Sequence, residues 1–128
     1  MALNYEEKSL KNEPVEDVKE YKNMKFKALF MAEAPDANKE EDKAVIETGK
    51  YKLFVNLVRG KEEALEVAQK YKEEHSIHSV LLCPGFTHED VGEISKKLGD
   101  DVGVTVARGD GPSGQIAKEA MGKAGWFS

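Results

Sequence analysis

A single cysteine, Cys83, stands in 128 residues, so no disulfide closes within one chain and a disulfide-stapled secreted domain is excluded. Long apolar runs are lacking as well. No stretch approaches the roughly 18 residues of a membrane span, and Met1 to Glu7 has neither the basic region nor the apolar run of a secretory leader, so a soluble, cytoplasmic protein with no membrane partner is expected. Clustered positive charge is also missing. Nineteen Lys and Arg are interleaved with twenty-four Asp and Glu for a net charge of −5, which leaves a phosphate backbone no basic stripe and sets nucleic acid aside as a partner. Histidine is scarce: His75 and His78 flank a polar loop without further ligands at matching spacings, and no metal site is expected.

What is present fits one domain, because 128 residues bury a single core and are too few for two. Residues 1–23 are dense in Glu, Asp and Lys and read as a charged extension, in which Pro14 can open a short helix carrying Val15, Val18 and Tyr21 on one side. Residues 24–128 alternate between strand and helix patterns, the signature of a mainly parallel sheet. Lys25 to Ala32 reads as the first strand, and a short helix from about Asn38 to Glu47 is expected after it. Tyr51 to Val58 reads as a second strand with mixed faces suited to a sheet edge. Ala64, Val67, Ala68 and Tyr71 fall at i, i+3, i+4 and i+7, which predicts a helix from Lys61 to Glu74. Val80 to Cys83 is the unbroken apolar run of a central strand. Thr87 and Asp90 then form the start of a helix that Gly99 stops, Val102 to Val106 alternate as a fourth strand, and a last helix carries Ile116, Ala117, Ala120, Met121 and Ala124 on one side. The expectation is a small three-layer α/β domain with four strands in the flavodoxin-like order 2-1-3-4; a ferredoxin-like or otherwise mixed sheet is the alternative.

Parallel strands end on one edge, and ligands usually bind in the crevice there. Arg59, Cys83, Gly85, Thr87, His88 and Arg108 all fall just after strands, with the carboxylates Glu33 and Asp36 after the first. The loop Gly109-Asp110-Gly111-Pro112-Ser113-Gly114 can turn its amides toward an anion before a helix, although it is neither a dinucleotide fingerprint nor a Walker loop and equally describes a tight turn with Ser113 as helix cap. Cys83 lies ahead of a helix N-terminus, where a thiolate is favoured, and His88 five residues on is placed to take its proton; a small buried packing thiol is the plainer reading of the same residue. Trp126 and Phe127 put two large aromatics at the end of the sequence, and such rings are expected to dock on the domain or on a second chain.

The segments Leu82-Cys83-Pro84-Gly85-Phe86 with Glu89, Val102-Gly103-Val104-Thr105-Val106-Ala107-Arg108, and Ala44-Val45-Ile46-Glu47-Thr48 resemble those of a family of short uncharacterised bacterial proteins with a domain of unknown function. The resemblance runs from about Lys25 to Phe127 and leaves residues 1–23 outside. It implies a compact α/β protein from a bacterium or archaeon, and it carries no catalytic role or cofactor to any residue. Three functions are therefore set side by side. The first is a binding module that holds a small anionic metabolite or phosphate through the backbone amides of Gly85 to Thr87 and Gly109 to Ser113, with Arg108 and Arg59. The second is an enzyme using Cys83 as nucleophile and His88 as base. The third is a non-catalytic homo-oligomer.

Overall fold

The computed structural model describes residues 24–127, so the charged extension, with its short helix opening at Pro14, lies outside the described residues. Along the chain run β1 (Phe26–Glu33), β2 (Lys43–Glu47), β3 (Tyr51–Val58), α1 (Lys61–His75), β4 (Ser79–Leu82), α2 (His88–Leu98), β5 (Gly103–Val106) and α3 (Ser113–Lys123). The strands form one sheet in the order β2-β3-β1-β4-β5. β1 pairs in parallel with β3 and β4, β4 pairs in parallel with β5, and β2 is antiparallel to β3. The protein is thus α/β with a mixed five-stranded sheet. The four strands anticipated from sequence are adjacent in their expected order, but the mainly parallel four-stranded sheet is corrected to five strands by β2, whose antiparallel pairing makes the sheet mixed, as the alternative had it.

The helix expected over Asn38 to Glu47 does not form. Asn38 instead makes a local turn, its Oδ1 accepting from the Glu40 amide at 3.0 Å while its own amide donates to Asp42 Oδ2 at 2.8 Å. Such side-chain bonds compete with a helical start. The β-branched pair Val45-Ile46 then extends as β2, and Thr48 Oγ1 accepts from the Lys50 and Tyr51 amides to close a tight hairpin into β3. β3 is consequently an interior strand rather than the edge its mixed faces suggested.

α1 and α2 pack on each other and on the same side of the sheet, as two successive right-handed crossovers in one direction require. Beneath them lie Leu29, Met31, Phe54, Val58, Val80 and Leu82, all buried, against Ala64, Val67, Ala68, Tyr71, Ile94 and Leu98 of the helices. Burying each large aliphatic side chain here stabilises by about 1.5–3 kcal/mol. The buried residues of α1 are the four its periodicity predicted. α2 opens on a complete capping box, Thr87 Oγ1 accepting from the Asp90 amide and Asp90 Oδ2 from the Thr87 amide, both at 3.1 Å.

The opposite face of the sheet follows from the register. Phe26, Ala28, Phe30 and Ala32 of β1 align with Tyr51, Leu53, Val55 and Leu57 of β3, and Phe30 aligns with Leu81 of β4. None of these belongs to the buried cluster beneath the helices. Phe26 is 48% exposed and Leu81 39% exposed. α3 buries none of its residues. The described residues therefore build two layers in place of the expected three-layer, flavodoxin-like arrangement: among them no helix covers the second face.

Candidate functional site

The crevice is built where the loops after β1 and β4 part, the first running toward β3 and the second toward β5. Glu33, the last residue of β1, and Cys83, which follows β4, meet there. The Glu33 amide donates to Cys83 Sγ at 3.4 Å, and the Cys83 amide donates to the Met31 carbonyl at 3.1 Å, so the thiol is tied to the end of β1. A Cβ added to Gly85 would fall 2.9 Å from Glu33 Oε1 and 3.5 Å from Cys83 Sγ, and one added to Gly60 would lie 4.0 Å from Glu33 Oε2. The carboxylate of Glu33 thus sits close against Gly85, where a side chain would crowd it, with Gly60 at an ordinary contact distance on another loop and the thiol nearby.

Partial burial raises the Glu33 carboxyl above its usual range, and the nearby charge of Asp90 raises it further. Among the described residues no cation pairs with it and no donor hydrogen-bonds to it.

The residues anticipated from sequence are divided by the structure. Gly85 and Thr87 line the crevice side of α2. Cys83 is half-buried and packs against the core. His88 is exposed at the first position of α2 and makes no hydrogen bond among the described residues, so the thiol's recorded partner is a backbone amide and not this imidazole. Arg59 donates through Nε to the Ala37 carbonyl at 2.7 Å and fastens the loop after β1. Arg108 turns to Asp110, its guanidinium 3.1 Å from Asp110 Oδ1, and both side chains are exposed. Gly109 and Gly111 sit in the approach to α3. Ser113 lies inside that helix, the cap position being Pro112 without a side-chain bond, so the capping role considered for Ser113 is not seen. Asp36 is exposed and makes no hydrogen bond among the described residues.

Sequence reasoning passed over a second region. A groove of about 370 Å³ opens between α1 and β2, lined in part by Lys39, Lys43, Asn56, Glu66, Lys70 and Tyr71. Its inner polar groups satisfy one another: Tyr71 Oη donates to Asn56 Oδ1 at 2.8 Å, Asn56 Nδ2 donates to the Lys39 carbonyl at 3.1 Å, and Lys39 Nζ pairs with Glu66 at 3.3 Å. A buried asparagine in a strand whose neighbours are apolar is the signal that could have found it. Beside these, the partly buried His75 imidazole lines the groove and makes no hydrogen bond among the described residues; the Glu33 carboxyl in the crevice is likewise unpartnered and is in addition raised above its usual range, which makes the crevice the stronger candidate.

No curated protein matches the chain, and no solved structure does. A family model does match, over residues 26–122, from the start of β1 to the end of α3. The chain belongs to this family, DUF6506, a family of unknown function.

Proposed function

We propose that the protein is a non-catalytic binding module whose site is the crevice between the ends of β1 and β4, and that it takes a small molecule presenting an amine or another hydrogen-bond donor to Glu33. The observation that carries this reading is the Glu33 carboxylate itself: half-buried, raised above its usual range, and without a cation or donor among the described residues. A partly desolvated carboxylate in that state gains most from a ligand that supplies the missing donor. An anionic ligand has less support. Arg108 is paired with Asp110, and the N-terminus of α2 already holds its own carboxylate, Asp90, in the capping box. Catalysis by Cys83 needs a base at the thiol, and the thiol's recorded partner is the Glu33 amide.

The test is a thermal-shift panel of amines, amino acids, phosphates, nucleotides and carboxylic acids against the parent, Glu33→Gln, Arg108→Ala and Cys83→Ala. A ligand at a hundred times its dissociation constant stabilises by about 2.7 kcal/mol. The expected hit is an amine or donor compound, lost in Glu33→Gln and kept in the other two. An anion whose effect disappears in Arg108→Ala would replace this reading with an anion site, and alkylation of Cys83 much faster than that of a free thiol at neutral pH would favour the enzyme.

Glu33→Gln carries its own prediction without any ligand. A carboxyl raised in the folded state binds more protons folded than unfolded, so ionising it costs stability. That cost is absent below about pH 4.5, where both states are protonated, and complete once pH exceeds the raised folded value. Glu33→Gln is therefore expected to raise the ligand-free melting temperature at pH 7 by about 1–3 °C and to have no such effect at pH 4, a contrast read directly from two thermal scans.

A further inference from the structure

We propose that two copies of this chain form a reciprocal dimer in which α3 of each copy packs on the uncovered sheet face of the other. Two unpartnered apolar surfaces on one chain lead to it. The first is the open sheet face, where the residues that β1 and β3 present carry no charged side chain. Phe26, Phe30, Leu53, Val55, Leu57 and Leu81 form there a surface of core composition that no described helix covers. The second is α3, whose apolar side leaves Ile116 68% exposed and buries nothing. Phe127 is 62% exposed, its ring lying over Gly122 of the same helix. Neither surface is stable in water by itself, since contiguous apolar patches of this kind mark interfaces.

Size and chemistry match the two. An eleven-residue helix is about 16 Å long and fits along strands of eight residues, which run about 26 Å. Ala117, Ala120 and Ala124 beside Ile116 let the helix axis approach the sheet closely; Lys118 and Glu119 point away from the centre of this stripe, and Lys123, the last residue of the helix, borders it at Ile116. The helix, about 16 Å long, on a face about 14 Å wide from β2 to β4 has a footprint of about 220 Å² on each partner. Two reciprocal dockings bury about 900 Å² in all, the size of a weak, concentration-dependent contact below the roughly 1,200 Å² of standard complexes. A twofold axis makes both contacts from the same two patches. The charged extension is a poorer occupant of an uncharged face, since ten of its twenty-three residues are charged.

Sedimentation equilibrium of the full chain from about 10 to 300 μM tests this, a range in which a dimer with a dissociation constant of tens of micromolar becomes populated. The mass is expected to rise with concentration toward twice 14.2 kDa. Ile116→Glu and Leu81→Glu change exposed residues that the single subunit does not need, and thermal unfolding checks that both variants fold. Each is expected to raise the dimer dissociation constant about 100-fold or more by placing a charge in the contact. In a mixture one of the two contacts carries no substitution, α3 of the Leu81→Glu copy on the sheet face of the Ile116→Glu copy, so the mixture is expected to associate more than either variant alone and less than the parent. A monomeric parent overturns the proposal. So does a parent dimer that survives Ile116→Glu, or one that falls apart in Val15→Glu/Val18→Glu while Ile116→Glu leaves it intact, which would give the sheet face to the extension.

Discussion

Leu82→Ala is expected to destabilise the domain by about 2–5 kcal/mol, whereas Leu81→Ala, one residue earlier on the same strand, should cost under about 1 kcal/mol in the single subunit. Successive residues of a strand point to opposite faces. Leu82 is fully buried beneath α2, among Met31, Ile94 and Val80, and its truncation leaves a cavity that a sheet hydrogen-bonded on both sides of β4 cannot collapse. Leu81 points to the uncovered face and is 39% exposed, so its truncation removes only partial burial. The comparison is made by urea unfolding in the Ile116→Glu background, where a sheet-face contact with a second copy is absent. In the parent at higher concentration Leu81→Ala should become the costlier of its two measurements, because the residue then lies under α3 of the other copy. Equal costs for the two leucines in the single subunit would mean that the helix layer does not select one face of β4.

The contrast between these leucines also marks where sequence stops informing. Val80-Leu81-Leu82-Cys83 reads as a strand covered on both faces, because its residues are apolar on both, and yet only one face meets a helix among the described residues. Hydrophobicity states that a surface prefers to be buried and does not say which chain buries it. The same limit explains α3, whose apolar stripe was legible while its lack of a partner within the described residues was not. Elements governed by local signals were read closely: α1 from its i, i+3, i+4, i+7 spacing, and the start of α2 from Thr87 and Asp90. The error fell on Asn38 to Glu47, where a charged stretch hides a turn held by Asn38 and Asp42 and the pairing of Val45 and Ile46 with β3 decides the outcome. Pairing between strands is non-local, and no helical or alternating period announces it in five residues. Of the candidate site, the edge of the sheet was legible from the glycines and polar residues that follow strands. The prominence of Glu33 was not, because it arises from the approach of Gly85 and Gly60 in space, fifty-two and twenty-seven positions away in the chain.

Asn56→Leu is expected to cost about 2–4 kcal/mol although leucine is the more apolar residue and fills a similar volume. Asn56 is 2% exposed and ties three segments together, its Nδ2 donating to the carbonyls of Lys39 and Leu57 and its Oδ1 accepting from Tyr71. Leucine satisfies none of them and leaves the buried Tyr71 hydroxyl without its acceptor. Tyr71→Phe alone should cost about 1–2 kcal/mol, because Oδ1 then loses its donor while the amide's other bonds remain. Removing both partners relieves the orphaned hydroxyl and the orphaned oxygen together, so the double variant is expected to fall short of the summed costs by about 1–2 kcal/mol in a denaturant-unfolding cycle. Strict additivity would mean that the 2.8 Å bond contributes no coupling. A second readout separates this bond from simple packing. Burial, and then the charge of Glu74, raises the Tyr71 hydroxyl above its ordinary value, so the folded chain holds this proton where the unfolded chain releases it. Stability from this group is complete below about pH 10 and declines as pH rises from there toward the raised folded value. Tyr71→Phe removes a titrating group from that window, and its stability curve should be flatter above pH 10 than the parent's by that group's share alone.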